Sequence, residues 1–326
     1  MTAGLRELRI PGFRLEAGPV LEVRQAFRLH GPPVDDARGL AVVFHALTGS
    51  SRVGEWWGGV VGPGRAVDTD RWAVLAPELL GSAGDPTRLP AAVLRGEAPV
   101  TPRDHARLTA RVVEELDVPR VALAAGGSLG GMVTLEWAAL GARPTDAAVV
   151  FAAPAAHPAA AVGWNEIQRR AIRAAGREGL AIARMVGMQT YRTPEEMERR
   201  FGRERDEAGD FQVARYLRHH GRKLTERYDL DSYLVLMDAM DAHDVGRARG
   251  GVSAALADFP GRLVGVGIPG DRLYRDEDVQ SWTRVSGAEF RTIDSLHGHD
   301  GFLLESVQVG AILRDALHAG LGEAVG

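Results

Sequence analysis

One segment limits what this chain can fold into more than any other: Gly126-Gly127-Ser128-Leu129-Gly130-Gly131-Met132. It follows directly on the apolar run Val121 to Ala125 and leads directly into a helical pattern, Val133 to Leu140. A buried strand passing into a helix through so few residues must turn sharply, and neighbouring positions in such a turn have no room for a Cβ. The serine alone keeps a polar side chain there, at a helix N-terminus whose backbone N–H groups favour negative charge. G-x-S-x-G in a strand-turn-helix context marks a nucleophilic serine at the top of a parallel sheet. The competing reading, a glycine-rich phosphate loop, lacks the P-loop lysine and departs from G-x-G-x-x-G.

A serine of ordinary acidity needs a general base, and the base needs an acid to orient it. With this elbow the chain order is serine, then aspartate or glutamate, then histidine. Asp271, in Gly267-Ile-Pro-Gly-Asp271-Arg-Leu-Tyr274, follows the apolar run Arg262 to Val266; His299 follows the run ending near Ile293. His297 competes with His299, and order alone does not separate them. Asp294 and Glu277 are weaker rivals to Asp271: one stands too close to the histidine along the chain, and the other begins a helical pattern. The oxyanion of acyl transfer needs two donors. These are the N–H of Leu129, next to the serine, and the N–H of Leu47 in the loop His45-Ala-Leu-Thr-Gly-Ser50. His45 precedes the nucleophile and closes a strand, so a structural role is expected of it.

Short apolar runs separated by turns and helical patterns predict a mostly parallel sheet covered by helices. Strands are expected at Leu40 to Phe44, Trp72 to Ala76, Arg120 to Ala125, Ala147 to Ala152, Arg262 to Val266 and Glu289 to Ile293. Alternating segments at Phe13 to Leu15 and Val20 to Leu29 predict antiparallel edge strands, which makes eight in all. Between Ala152 and Arg262 no good strand occurs. Apolar spacing near 3.6 in Ile167 to Ile172, Leu180 to Val186 and Tyr233 to Met240, and the helix start Thr193-Pro194-x-Glu196, predict a helical cap inserted into the sheet domain. The expected division is a core of residues 1–162 and 246–326 and a cap of 163–245 over the carboxyl ends of the strands.

Composition excludes more than it selects. A net charge of -4 spread along 326 residues leaves no basic footprint for nucleic acid, and no run approaches the ~18 apolar residues of a membrane span. The absence of cysteine rules out disulfides and thiolate chemistry and fits a reducing compartment. Met1 to Pro11 has no apolar signal-peptide core, so a cytoplasmic location is expected.

Several segments together resemble the homoserine O-acetyltransferase family of α/β-hydrolase-fold acyltransferases. They are His45-Ala-Leu-Thr-Gly49, Gly126 to Met132 with Leu135-Glu-Trp-Ala138, Trp164-Asn-Glu-Ile-Gln168, Gly179-Leu-Ala-Ile-Ala-Arg184, Phe201-Gly-Arg203, Asp231-Ser-Tyr-Leu234, Asp271-Arg-Leu-Tyr274 and Gly298-His-Asp-Gly-Phe-Leu303. The resemblance implies an α/β-hydrolase fold with a triad of Ser128, Asp271 and His299, the last chosen over His297 by its place before Asp300. It makes Arg184 the arginine that holds the substrate carboxylate, Asp300 the acid that holds its ammonium group, and Tyr191 a residue lining the same pocket. It also implies acetyl-CoA as acyl-donor substrate, L-homoserine as acceptor, no cofactor or metal, a place in methionine biosynthesis, and a homodimer formed through apolar surface of the cap helices at Met185 to Tyr191 and Tyr233 to Met240. Succinyl-CoA as donor, serine as acceptor, and water as acceptor in a plain esterase are the alternatives on the same scaffold.

The chain departs from the family pattern after the run near Trp72, where Glu78-Leu-Leu-Gly-Ser82 leads through Pro86, Leu89 and Pro90 in place of Asn-x-Leu-Gly-Gly and a long loop. The connection from Ile172 to Gly179 is also shorter. Both lie where the mouth of the site is expected.

Overall fold

The computed structural model describes residues 4–82 and 89–319; Pro86 lies outside them. Two antiparallel strands, β1 (Arg6–Arg14) and β2 (Val20–His30), open the chain. The first begins at Arg6, not at Phe13 as alternation predicts. A bulge between Ile10 and Phe13 takes up Pro11, which has no N–H for the ladder, and Gly12 at φ +66°. That bulge breaks the period of two and hides the strand's first half.

Then follow β3 (Leu40–Phe44), α1 (Val53–Trp56), the short strands β4 (Val61–Gly62) and β5 (Val67–Asp68), and β6 (Ala73–Pro77). Next come α2 (Ala91–Leu94), α3 (Pro102–Glu115), β7 (Val121–Gly127), α4 (Leu129–Leu140) and β8 (Thr145–Phe151). β4 and β5, which no pattern foretells, pair only with each other. The helical stretch is α5 (Ala159–Tyr191), α6 (Pro194–Phe201), α7 (Gln212–Thr225) and α8 (Leu230–Asp241). The chain closes with α9 (Val252–Leu256), β9 (Arg262–Gly267), α10 (Asp276–Ser286), β10 (Glu289–Thr292), α11 (Gly301–Leu304) and α12 (Ser306–Ala319).

The eight-stranded sheet has the order β1-β2-β6-β3-β7-β8-β9-β10 and is parallel from β6 to β10. Its two faces follow from the alternation of side chains along each strand. Leu40, Val42 and Phe44 join Val112 of α3 and Leu135 of α4, whereas Ala41 and Val43 join Trp57 and Leu313 of α12. Helices therefore cover both faces, and this is the α/β-hydrolase architecture that the elbow and the apolar runs predict.

Helices α5 to α8 leave the sheet after β8 and return before β9, with their two ends side by side. Ala156 bridges Asp244, and the Val245 N–H donates to the Ala155 carbonyl at 2.9 Å. The two helical patterns within α5 abut at Gly176, which leaves helical geometry at φ 55°, ψ -123°. A Cβ at Gly179 would collide with the Ala171 carbonyl, so glycine lets the two halves fold tightly across the shortened connection. Thr193 caps α6 as its sequence suggests, accepting from the Glu196 N–H at 3.0 Å. Its hydroxyl also donates to the Leu296 carbonyl at 2.6 Å, tying α6 to the loop that carries His299.

The apolar side chains from Tyr233 to Met240 do not form the open face expected of them: Tyr233, Leu236, Met237 and Met240 are buried in the main core. The exposed large apolar residues of this stretch lie on α5, at Val162, Trp164, Ile167 and Ile182.

Candidate active site

The glycines around Ser128 each have an identifiable neighbour. A Cβ on Gly126 would stand 2.5 Å from the Gly130 carbonyl oxygen, one on Gly130 would strike the Phe44 carbonyl, and one on Gly131 would stand 2.7 Å from Ala153 Cβ. Gly127 would drive a Cβ into the ring of Phe302. Ser128 itself sits at φ 58°, ψ -125°, a region that L-residues rarely occupy, and is held there because its N–H donates to Phe151 O at 3.0 Å and its carbonyl accepts from Met132 N at 3.0 Å. Strain retained at one buried, non-glycine residue in the turn is the signature of a functional position.

Asp271 and His299 meet as chain order predicts. His299 Nδ1 lies 2.7 Å from Asp271 Oδ2, and both side chains are buried. The other carboxylate oxygen of Asp271 accepts from the Leu273 and Tyr274 N–H groups at 2.8 and 3.1 Å, which fixes the carboxylate on its loop. Burial works against the imidazolium form of His299, yet the charge and hydrogen bond of Asp271, with the charge of Asp300, outweigh it and raise the pKa above that of an ordinary histidine. Nε2 of His299 is buried and bonded to nothing among the described residues, Ser128 included. Phe302 links the two, lying against Gly127 on one side and with its ring 5.6 Å from that of His299. The rivals are turned elsewhere: His297 faces Glu196 at 3.1 Å and Arg192 at 3.3 Å, Asp294 pairs through its backbone with Gln308, and Glu277 lies in the first turn of α10.

His45 is structural in the sense expected. Its Nε2 accepts from the Leu79 N–H at 3.1 Å, so the proton sits on Nδ1 and is donated to the Ala46 carbonyl at 2.8 Å. Both ring nitrogens are committed, and burial lowers the pKa, which keeps the ring neutral. Leu129 is the first residue of α4, so its N–H has no partner within the helix. Leu47 is buried, and its carbonyl accepts from the Tyr228 hydroxyl at 2.9 Å.

Tyr191 ends α5 with its ring 5.6 Å from that of His299, and the Arg184 guanidinium lies 5.7 Å from the same ring. Arg184 is half-buried and has no carboxylate partner among the described residues. Asp300, by contrast, is already engaged: its Oδ2 pairs with Arg192 Nη2 at 2.9 Å, and Arg192 also pairs with Glu196 at 3.0 Å. Sequence reading names Asp300 but misses Arg192, although it stands immediately after Tyr191.

Tyr274, quoted only as part of a motif, is a second omission. Its ring stands edge-on to His299 at 5.3 Å, and its hydroxyl lies 2.9 Å from Nε2 of His157, whose Nδ1 is 3.1 Å from Asp241. Asp241 is held in turn by Asn165 at 2.7 Å and Arg169 at 2.6 Å. A chain of polar contacts thus runs from α5 and α8 to the loop of Asp271.

A buried Asp–His pair, joined through Phe302 to the turn of a strained serine that is followed at once by a helix N-terminal N–H, has groups of the kind that activate a hydroxyl and stabilise an oxyanion. Among the described residues no cluster of three or more His, Asp or Glu side chains is arranged to hold a metal ion, and no helix is long and apolar enough to cross a membrane.

Comparison with known proteins bears on the fold and the family. Residues 41–186 match a family model described as alpha/beta hydrolase fold. The chain is 38% identical to a homoserine O-acetyltransferase of Clavibacter michiganensis subsp. michiganensis, over 93% of this chain and 90% of that protein. It is also 38% identical to a homoserine O-acetyltransferase of Thermus thermophilus, over 94% and 89% of the two chains. Among solved structures, a homoserine O-acetyltransferase from Staphylococcus aureus superposes with a TM-score of 0.81 at 28% identity, covering 96% and 95% of the two chains. Esterase E22 superposes as well, with a TM-score of 0.83 over 97% and 100% of the two chains, but at 18% identity it bears on the fold alone. At 38% identity over about nine-tenths of this chain and of those relatives, the chain belongs to the homoserine O-acetyltransferase family.

Proposed function

We propose that this protein transfers an acetyl group from acetyl-CoA to the hydroxyl of L-homoserine through an acyl intermediate on Ser128. His299 Nε2 takes the Ser128 proton as Oγ attacks the thioester carbonyl, and the Leu47 and Leu129 N–H groups hold the oxyanion. Collapse expels CoA, whose sulfur takes the proton from His299. Homoserine then enters, gives its hydroxyl proton to His299 and attacks the acyl-serine. A second collapse releases O-acetylhomoserine and returns the proton to Ser128.

The observation that carries this reading over a plain esterase is Arg184. A half-buried guanidinium without a carboxylate partner among the described residues, next to the ring that neighbours the base, suits the carboxylate of a small amino acid. Asp300, whose Oδ2 pairs with Arg192, would take the substrate ammonium, and the ring of Tyr191 stands near both His299 and Arg184. A steady-state assay crossing acetyl-CoA and succinyl-CoA with homoserine, serine and water tests it. Acetyl-CoA with homoserine is expected to give the highest kcat/KM; equal turnover without an amino acid would favour the esterase.

The pH profile offers a separate test. A base must be neutral to accept a proton, so a pKa raised by Asp271 moves the acid limb of kcat/KM above the ordinary histidine value of about 6.5. Activity is retained above that pKa and lost as pH falls through it. Asp271→Asn is expected to lower both the limb and the plateau; an acid limb below about 6.5 in the parent protein would contradict the account.

We further propose that residues 163–245 act as a lid over the site, that the protein works in the cytoplasm, and that it forms a homodimer through α5. Trp164, Ile167 and Ile182 give that helix an exposed apolar strip. Light scattering at micromolar concentration is expected to report twice the 35.0 kDa chain mass, and a monomer mass would refute the dimer.

A further inference from the structure

Three successive carbonyls of the loop after β3 are each held by a named group. The Ala46 carbonyl accepts from His45 Nδ1 at 2.8 Å and from the Gly49 N–H at 2.9 Å. The Leu47 carbonyl accepts from the Tyr228 hydroxyl at 2.9 Å, and the Thr48 carbonyl from Arg227 Nη1 at 3.0 Å. His45 and Gly49 belong to the sheet domain, but Arg227 and Tyr228 lie between α7 and α8. A peptide unit is planar and trans, so holding a carbonyl also fixes the direction of the N–H on the far side of the same unit. Leu47 is therefore gripped from both sides: His45 fixes the unit that carries its N–H, and Tyr228 fixes the next. Neither unit can swing about Leu47 without losing a buried hydrogen bond.

We propose that Tyr228, assisted by Arg227, is a positioning residue for the oxyanion hole, so that the helical insertion completes the hole as well as covering the site. The inference rests on the assignment of the Leu47 N–H as an oxyanion donor. Tyr228 touches neither substrate nor reacting atoms in this scheme; it steadies from the second side the residue whose N–H His45 directs. Its ring, edge-on to Tyr233 at 5.8 Å, holds it in place, and Tyr233 in turn donates its hydroxyl to Gln168 Oε1 of α5 at 2.8 Å. The second grip on Leu47 thus depends on how α5, α7 and α8 are seated. An enzyme built this way has Leu47 held on both sides only when those helices sit on the core, which favours acyl transfer in the closed arrangement.

Tyr228→Phe tests the proposal, because it removes one hydroxyl and keeps the ring. Two readouts are needed: the rate of Ser128 acetylation by acetyl-CoA, and inhibition by ethylboronic acid, which adds to a serine hydroxyl and presents an oxygen to the hole. Misaiming one donor is expected to lower acetylation about tenfold and to weaken boronic-acid inhibition by a similar factor, with the homoserine KM unchanged. Arg227→Met is expected to move both readouts in the same direction by less, and carries the test if Tyr228→Phe does not fold. Acetylation and inhibition equal to the parent's in the folded variant overturn the proposal, as does slower acetylation with unaltered inhibition. A parent protein that is never acetylated on Ser128 overturns the catalytic reading beneath it, which is a different result.

Discussion

Ser128→Ala protein treated with acetyl-CoA is expected to gain no acetyl group, while the parent protein gains one on Ser128. The turn is already set by glycines that pack against Gly130, Phe302, Phe44 and Ala153, and the substitution removes only a hydroxyl from it. The fold should therefore persist, with a thermal midpoint at or above the parent's, since strained catalytic residues often cost stability. Loss of the nucleophile removes the covalent route altogether, an effect of several powers of ten on transfer. Intact-mass spectrometry decides it: an acetyl adduct on the folded variant would place the nucleophile elsewhere.

The second large effect is expected at Arg184. Arg184→Ala should acquire the acetyl group from acetyl-CoA at nearly the parent rate and then fail to pass it efficiently to homoserine. The guanidinium stands beside Tyr191 with no acidic partner among the described residues, so removing it leaves no protein carboxylate stranded. What is lost is a charge-assisted contact with the acceptor, which typically costs about 2 to 5 kcal/mol in a partly dry site, hence about 30-fold or more in transfer efficiency. Asp300 is a less clean probe. It also pairs with Arg192, and its charge contributes to the raised pKa of His299, so Asp300→Asn would disturb the base together with the acceptor. Unchanged transfer by Arg184→Ala would remove the acceptor site as assigned.

What could be read in the sequence was whatever is local or ordered along the chain. The elbow is local: its glycines, its preceding strand and its following helix are contiguous, and chain order then leads to Asp271 and His299. The preference for His299 over His297 came from resemblance alone, and the structure supplies the physical reason in the turn of His297 toward Glu196 and Arg192. Contacts between distant segments left no trace in periodicity. Arg227 and Tyr228 reach Thr48 and Leu47 across 179 and 181 residues of chain, and Tyr274 reaches His157 across 117. One backbone exception is silent, the bulge at Pro11 and Gly12 that conceals the start of β1, whereas the break at Gly176 falls in the connection between two helical patterns that the sequence already separates. The burial of Tyr233 to Met240 was misjudged because an apolar helix face looks the same whether a core or a partner covers it.

The central claim is that the acyl-serine is discharged to an amino acid and not to water. Parent protein acetylated on Ser128, freed of excess acetyl-CoA and mixed with homoserine in a rapid-quench experiment, tests it most directly. The account predicts that loss of the acetyl group accelerates and saturates with homoserine concentration, with O-acetylhomoserine as the product. A discharge rate indifferent to homoserine, with acetate as the product, would contradict it.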